Sequence, residues 1–369
     1  MQPTLKPACP NFSSGPCAKR PGYQLDQLDT TTLGRSHRSN VGKQALAQAI
    51  EQTKALLEIP DDYRVGIVPA SDTGAMEMAM WSMLGARDVD VFAWESFGSG
   101  WLSDINNELK LNAKGHVADY GKLPDFSQAN PNNDTVFTWN GTTSGVKVPN
   151  ADWISDTRTG LSFCDATSAV FAMPMPWSKL DVTTFSWQKV LGGEGGHGVI
   201  ILSPRAVQRL CEFSPDRPIP KIFRMAKNNK LIEGIFSGAT INTPSMLAVA
   251  DYLDALNWVQ QIGGVSASIT KSENNLKVIE SFVESHDWIN FLAQEIEERS
   301  NTSVCLVLDL NADQIKTMVS LLAQQQVAFD IGAYRDAPSG LRIWCGATVE
   351  QADLEALMPW VKWAYHQVK

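Results

Sequence analysis

The segment that determines how we interpret this chain is Val182-Thr-Thr-Phe-Ser-Trp-Gln-Lys189-Val-Leu-Gly192-Gly-Glu-Gly-Gly-His-Gly198. Its pattern predicts a buried strand that ends near a lysine, a glycine-rich turn, and a second strand over 199–202. A lysine that is buried beside other cations has a lowered pKa, so its amine can attack an aldehyde. Glycines in the turn allow the backbone to bend tightly around a planar ligand.

The same segment has simpler interpretations. A single lysine in a loop is usually solvated, so Lys189 alone does not identify an active site. Residues 193–198 also match the dinucleotide-binding pattern GxGxxG, but that pattern should open a helix, and here it opens a strand. A P-loop is excluded because no Gly-Lys-Ser/Thr follows the glycines.

A carboxylate earlier in the chain favours the catalytic interpretation of Lys189. Asp165 closes the apolar stretch Leu161-Ser-Phe-Cys-Asp165, which predicts a strand that ends in an acid. A pyridine ring used as an electron sink works best with a protonated nitrogen, which a nearby carboxylate stabilises. Asp165 could instead cap a turn, as Asp often does after a strand. Its pairing with a downstream strand-end lysine favours a pyridoxal-phosphate site.

The order of the predicted elements indicates an α/β fold. Short apolar strands alternate with helical patterns from about Val65 to Leu202, which favours a mostly parallel sheet covered on both faces. Ligands of such sheets bind at the carboxyl ends of the strands. We expect one helix over about 73–84, with Thr73 or Asp72 as its N-cap, and the following helix to begin near Ser99.

A different pattern follows the helix that starts near Pro244. It predicts a long helical stretch over about 265–298, strands over 304–308, near 329 and over 341–345, and a closing helix from Val349. We therefore predict two domains, namely a large cofactor-binding domain over 14–262 and a smaller α+β domain over 263–369 that includes the N-terminal segment 1–13.

Composition restricts the class of protein. The 369 residues are 44% hydrophobic and 19% charged, with a formal net charge of -9, which is typical of a globular enzyme and disfavours a nucleic-acid partner. The six cysteines are scattered and have no metal-like spacing, which indicates free thiols in a reducing compartment. The first residues, Met-Gln-Pro-Thr-Leu-Lys-Pro, lack the apolar stretch of a signal peptide, so we expect none, and no apolar run reaches membrane-spanning length. We expect a soluble cytoplasmic protein with no metal and no membrane partner.

Five motifs, in the same order as in the family, carry a resemblance to the phosphoserine aminotransferases among the fold-type I pyridoxal-phosphate enzymes. They are Asn11-Phe-Ser-Ser-Gly-Pro16, Ser36-His-Arg38, Trp187-Gln-Lys189, Ile241-Asn-Thr-Pro244 and Gly340-Leu-Arg342. Each motif is weak alone, but together they are fairly specific and span nearly the whole chain. The resemblance implies an aspartate-aminotransferase-like fold, pyridoxal 5′-phosphate as cofactor and a homodimer.

The resemblance also implies roles at the cofactor. Lys189 would form the Schiff base and move the proton at the substrate Cα, and Asp165 would pair with the ring nitrogen. Thr142 would hydrogen-bond the ring oxygen of the cofactor, and Phe97 would stack on the ring face, with Trp101 as its rival. The cofactor phosphate would be bound by Gln188, Thr73 and Gly74. Asn242 and Thr243 would reach the phosphate of the partner subunit's cofactor. Free amides at a helix start suit a phosphate on physical grounds as well.

At the substrate, the resemblance implies that Arg342 binds the α-carboxylate through a two-pronged salt link. His37 and Arg38 would hold the substrate phosphate across the dimer interface; without the resemblance they would be a solvated basic loop. In the better-known bacterial pattern of the family, the helix start after the second strand carries an arginine that assists the substrate phosphate, and Ser71-Asp-Thr-Gly74 has no arginine. Arg335, which stands where the family has a histidine, could supply that positive charge.

The implied reaction is reversible amino transfer between O-phospho-L-serine with 2-oxoglutarate and 3-phosphohydroxypyruvate with L-glutamate, in serine biosynthesis. Phosphohydroxythreonine of pyridoxine biosynthesis is an analogous substrate. The main alternative is a serine–glyoxylate-type aminotransferase, which would not need His37 and Arg38. A cysteine desulfurase is disfavoured by Phe97 and by the strand setting of Cys345, and a nicotinamide dehydrogenase by the misplaced glycines. A cofactor-free binding protein would lack visible absorption.

Overall fold

The chain is an α/β protein with one seven-stranded and one three-stranded sheet, and a computed structural model describes all 369 residues. Its eight α-helices are Asn40–Leu56 (α1), Ser71–Met83 (α2), Ser96–Asn107 (α3), Pro204–Glu212 (α4), Met246–Gln261 (α5), Gly264–Glu284 (α6), Ala312–Gln324 (α7) and Gln351–Val368 (α8). None of these helices combines the length and the apolar character that a membrane crossing requires.

Fourteen strands accompany the helices. They are Arg64–Pro69 (β1), Val89–Ala93 (β2), Lys114–Val117 (β3), Asp134–Thr138 (β4), Asn140–Gly141 (β5), Val146–Lys147 (β6), Ser162–Asp165 (β7), Val182–Ser186 (β8), His197–Leu202 (β9), Ala226–Lys227 (β10), Lys230–Leu231 (β11), Ile289–Phe291 (β12), Ser303–Leu308 (β13) and Leu341–Trp344 (β14). The strands β5 with β6 and β10 with β11 form two small ribbons.

The large sheet has the order β1-β9-β8-β7-β4-β2-β3. The pairs from β3 to β8 are parallel, whereas β9 is antiparallel to both β8 and β1. This arrangement confirms the predicted mostly parallel sheet. Because β1, β2, β4, β7 and β8 run in one direction, their carboxyl ends meet at the same edge, which is where ligands of open α/β sheets bind.

Both faces of the large sheet are buried, as its apolar strands predict. Successive side chains point to opposite faces, so Val65 and Ile67 of β1 belong to one hydrophobic cluster and Val68 to the other. Helix α2 covers the second face with a nearly continuous set of buried Met and Ala side chains. The carboxyl edge of the large sheet is therefore supported by buried side chains on both faces of the sheet.

The three-stranded sheet is antiparallel, in the order β12-β13-β14. The N-terminal segment joins it, because Trp344 donates its backbone N–H to Phe12 at 2.9 Å and Asn11 forms a bridge with Phe329. Apolar residues of this sheet and of the large sheet share one hydrophobic cluster. The domain limits at 14–262 and 263–369 stay a prediction.

Several predicted element bounds are wrong. The long helix expected to reach 298 ends at Glu284, since a turn precedes the short strand β12. The strand expected near Phe329 is only the single bridge to Asn11. Helix α3 begins at Ser96 rather than Ser99, because the Glu95 side chain accepts the N–H of Gly98 and caps the helix earlier.

Candidate active site

A polar cavity with an empty volume of about 560 Å³ opens at the carboxyl edge of the large sheet. It is lined by Ser71, Asp72 and Thr73 of α2, Glu95, Phe97 and Trp101 at α3, Thr138, Asn140 and Thr142 after or at the end of β4, Asp165 and Thr167 at the end of β7, and Ser186, Gln188 and Lys189 at the end of β8. Residues far apart in the sequence meet here because the parallel strands end at one edge.

Lys189 lies three residues beyond the end of β8, at the rim of the cavity. Its Nζ donates a hydrogen bond to the backbone carbonyl of Ser14 at 2.6 Å. Burial lowers the pKa of Lys189, and the positive charge of Arg342 adds to this effect. A larger fraction of the amine is therefore neutral near pH 7, as a nucleophile or a proton acceptor requires.

The Lys189 amine lies directly beside the backbone of Gly15. A Cβ atom on Gly15 would collide with Nζ of Lys189. We expect Gly15→Ala to lower kcat about 10-fold or more, since a displacement of a reacting group by about 1 Å can cost far more than that. Steady-state kinetics of the holoenzyme would measure it. Gly100→Ala is a control for the loss of a glycine, because a Cβ atom added at Gly100 has no neighbour within 4 Å. Equal kcat values for wild type and Gly15→Ala would contradict the prediction.

Asp165 is buried at the end of β7 and is fixed by two donors. Its Oδ2 accepts the indole N–H of Trp101 at 3.2 Å, and its Oδ1 accepts the backbone N–H of Thr167 at 3.1 Å. Both bonds fix the orientation of the carboxyl group. Trp101 therefore positions Asp165. Phe97 also lines the cavity and is 38% exposed. Its predicted contact with the face of the cofactor ring stays a prediction.

The entry to helix α2 differs from the predicted one. The helix begins at Ser71, with Ala70 and Ser71 both in the left-handed region at φ 66° and 53°. Such strain is typical of functional turns. The amide of Gly74 donates to the carbonyl of Ala70 at 2.9 Å, and Gly74 does not line the cavity. The amides of the first helical turn, including Thr73, have no partner within the helix, and the contacts of Thr73 and Gly74 with the phosphate stay predictions.

Polar atoms without partners show what the cavity can hold. The buried atoms that lack a hydrogen bond include Asp72 Oδ1, Thr138 Oγ1, Asn140 Oδ1, Thr167 Oγ1, Ser186 Oγ and Gln188 Oε1. Such atoms are rare in folded proteins unless a ligand or water satisfies them. These groups fit pyridoxal phosphate. The start of α2 suits its phosphate, the Asp165 carboxyl group suits its ring nitrogen, and the Lys189 amine suits its aldehyde.

Thr142 lies in the same cavity, where its Oγ1 is 2.7 Å from Ser168 Oγ. The structure thus brings together Lys189, Asp165, Gln188, Thr142, Phe97 and Thr73 from the predicted set. The remaining predicted residues lie outside this cavity in a single copy of the chain. Arg38, Asn242, Thr243 and Arg335 are exposed, and His37 is half-buried.

Arg342 lies on β14 and is half-buried, and its Nε is buried without a partner. Its guanidinium group lies 5.5 Å from the ring centroid of Tyr334, and that ring lies 5.7 Å from the ring of Phe97. These two contacts connect the predicted carboxylate-binding arginine to the cavity wall.

Sequence reasoning missed several cavity residues. Thr138, Thr167 and Ser186 all lie at or just after the carboxyl ends of parallel strands, so the rule for sheet edges could have found them. Asp72 and the role of Trp101 carried no such signal, because their functions depend on contacts with β7 that the sequence does not reveal.

The fold and the cavity define a pyridoxal-phosphate-dependent enzyme of fold type I. The chain is 59% identical over 370 residues to a phosphoserine aminotransferase of Methanosarcina barkeri, covering 100% of both proteins. It therefore belongs to the phosphoserine aminotransferase family, and it is an aminotransferase whose cofactor is pyridoxal 5′-phosphate. No family model matches the chain.

Two solved structures show the same fold. The phosphoserine aminotransferase from Bacillus circulans subsp. alkalophilus superposes with a TM-score of 0.81 at 21% identity, covering 97% of this chain and 99% of that one. An alanine–glyoxylate aminotransferase from Nostoc sp. also reaches 0.81, at 16% identity with coverages of 99% and 97%. The fold is thus shared by aminotransferases named for different substrates, and only the side chains can distinguish among them.

Proposed function

We propose that this chain catalyses reversible amino transfer from O-phospho-L-serine to 2-oxoglutarate, giving 3-phosphohydroxypyruvate and L-glutamate. The observation that carries the proposal is the meeting of the Lys189 amine and the Asp165 carboxylate in one polar cavity at the sheet edge. The relationship to the Methanosarcina barkeri protein supports the choice of substrate.

When bound, pyridoxal phosphate supplies an aldehyde that links to amines and a ring that accepts electrons from the substrate Cα. Lys189 provides the amine and takes up the Cα proton, because burial holds its pKa below the ordinary value. Asp165 presents a fixed carboxylate to the ring nitrogen, since Trp101 and Thr167 hold both of its oxygens. Ser71 and Thr73 at the start of α2 bind the cofactor phosphate together with Gln188.

The substrate contacts form a second part of the proposal. Arg342 binds the α-carboxylate, and its partnerless buried Nε is available for this bond. His37 and Arg38 precede helix α1, whose positive N-terminal end favours an anion. Because these two residues and the exposed Asn242 and Thr243 lie outside the cavity of their own copy, we propose a homodimer in which each subunit completes the other's site.

The proposal also covers the cellular role. We place the reaction in serine biosynthesis in the cytoplasm, and all six cysteines of the chain are free, which fits a reducing compartment. Phosphohydroxythreonine of pyridoxine biosynthesis carries the same phosphate and α-carboxylate, so we propose it as a further substrate.

The alternative is a serine–glyoxylate-type aminotransferase of the same fold. The similarity of fold to the Nostoc alanine–glyoxylate aminotransferase keeps this candidate in consideration. A competition assay with phosphoserine against serine distinguishes the two. Preference for unphosphorylated serine would reject the phosphoserine proposal.

The double variant His37→Ala and Arg38→Ala tests the phosphate site. We expect KM for phosphoserine to rise at least about 30-fold, because hydrogen bonds to charged groups contribute about 1.5–3 kcal/mol each. KM for glutamate should change less than about 3-fold, since glutamate has no phosphate. Lys54→Ala is the control, because it removes a cation from the opposite end of α1. Equal increases for both substrates would contradict the phosphate role.

A further inference from the structure

Glu95 is a buried carboxyl group of the cavity to which neither the expected cofactor contacts nor the substrate contacts give a role. It directly precedes α3, lines the cavity and is 2% exposed. Buried carboxyl groups are rare unless they have hydrogen-bond donors, so the partners of Glu95 indicate what it does. Its partners lie in two segments that border the cavity, namely the start of α3 and the loop after β5.

The two oxygens of Glu95 join these two segments. Oε1 accepts the backbone N–H of Gly98 at 2.8 Å. Oε2 accepts the hydroxyl of Thr143 at 2.8 Å and the backbone N–H of Thr143 at 3.3 Å. Thr143 Oγ1 in turn accepts the backbone N–H of Ser96 at 3.3 Å. Since both oxygens are engaged, Glu95 cannot move with one segment without losing a hydrogen bond to the other.

Each partner of Glu95 is next in the sequence to a residue with a predicted contact to the cofactor ring. Gly98 follows Phe97, which is predicted to stack on the ring face, and Thr143 follows Thr142, which is predicted to bind the ring oxygen. Both Phe97 and Thr142 line the cavity. The carboxyl group therefore joins the segment of a face contact to the segment of an edge contact.

The packing around Glu95 restricts its side chain. A Cβ atom added to Gly141 would lie 2.8 Å from Cγ of Glu95, so the backbone at the start of the loop touches the side chain. Tyr120 joins the same contact, because its hydroxyl lies 2.6 Å from Ser96 Oγ and 3.4 Å from Thr143 Oγ1. Thr143 is fully buried. The connection between the two segments is thus both hydrogen-bonded and closely packed.

We propose that Glu95 is a positioning residue that holds the start of α3 and the loop after β5 at a fixed separation, and thereby sets the width of the space that receives the cofactor ring. The inference rests on the proposed function, in which the cavity holds pyridoxal phosphate between Phe97 and Thr142. Glu95 acts through the neighbours of these two residues and takes no part in the chemical step.

The test compares Glu95→Asp with Thr143→Val in the holoenzyme. Aspartate is a preferred N-cap and keeps the bond to Gly98, but it is one methylene shorter and does not also reach Thr143. Valine keeps the shape of Thr143 and removes its hydroxyl. We expect each variant to lower kcat for phosphoserine about 5- to 20-fold, because a displacement of about 1 Å can cost about 100-fold. Each should also change the induced circular dichroism of the visible cofactor band, which depends on the orientation of the ring.

Three further variants complete the test. Glu95→Asp and Thr143→Val break the same bond, so kcat of the double variant should be no more than about 2-fold below that of the less active single variant. Thr143→Ser keeps the hydroxyl and should retain kcat within about 2-fold of wild type. Asn311→Ala is the control for a lost helix cap, because Asn311 caps α7, is exposed and does not line the cavity. It should change neither kcat nor the dichroism.

Wild-type kcat and dichroism in Glu95→Asp would show that Glu95 only caps α3, and would overturn the inference. A Thr143→Val variant identical to wild type, a double variant whose losses multiply, or an altered cofactor band in Asn311→Ala would do the same. If Glu95→Asp does not fold, Thr143→Val and Thr143→Ser still decide, because they change only the loop. Wild-type protein without a visible cofactor band would instead reject the proposed function, so the two failures are distinguishable.

Discussion

Replacing Lys189 with alanine is expected to lower kcat about 10³-fold or more, because a positioned acid–base group contributes about 10²–10⁴ to a rate. The variant loses the only amine that the cavity presents. It should fold normally, since the Lys189 side chain makes one hydrogen bond, to Ser14, and lies at a cavity wall. Single-turnover mixing of the holoenzyme with phosphoserine would measure the chemical step directly.

Lys147→Ala is the matched control for this variant. Lys147 is also a partly buried lysine whose pKa burial lowers, but it does not line the cavity. We expect kcat of Lys147→Ala to stay within about 3-fold of wild type. Borohydride reduction of the wild-type holoenzyme followed by peptide mapping gives an independent check. Attachment of the reduced cofactor to any other lysine, or a fully active Lys189→Ala enzyme, would reject the assignment.

The sheet and its two principal side chains could be predicted because their signals are local. Apolar runs that end in Asp165 and near Lys189 identify two neighbouring parallel strands, and the carboxyl ends of such strands must meet. The positions of the strands are fixed by burial, which acts on every second residue along each strand. The confirmed fold and cofactor follow from these patterns together with the family motifs.

The parts that could not be predicted depend on contacts between distant segments. The Lys189 amine is held by the carbonyl of Ser14, 175 residues away. The start of α2 is set by the turn before β9, where Ala70 donates to the carbonyl of Gly196 and Gly198 packs too closely on Ser71 to tolerate a Cβ. No local preference encodes two consecutive left-handed residues that are neither Gly nor Asn, so the helix was expected to begin later.

The hydrogen bond between Trp101 and Asp165 is another contact between distant segments that the sequence did not predict. A tryptophan on a helix near the cofactor favours a stacking role by its shape. The structure instead directs its indole N–H to the carboxylate. Two N–H donors, from Trp101 and Thr167, therefore fix the Asp165 carboxyl group at the cavity wall.

Replacing Asp165 with asparagine is the second change with a large expected effect. Asparagine keeps the shape but not the charge, so in the proposed role of Asp165 the ring nitrogen would lose its stabilising anion. We therefore expect kcat to fall about 10²–10³-fold, as for loss of a buried electrostatic contact to a reacting group. The loss should be incomplete, because removal of the Asp165 charge lowers the cost of ionising Asp72 and the neighbouring carboxyl group can take over part of the charge.

The double variant Asp165→Asn with Asp72→Asn separates these contributions. Because both cavity carboxyl groups are then replaced, we expect a further loss of about 10-fold relative to Asp165→Asn. Trp101→Phe, which removes only one donor to Asp165, should cost less, about 10-fold, because the Thr167 amide remains. Kinetics of the three holoenzymes measure this order. If Asp165→Asn alone already equalled the double variant, Asp72 would not compensate for the lost charge of Asp165.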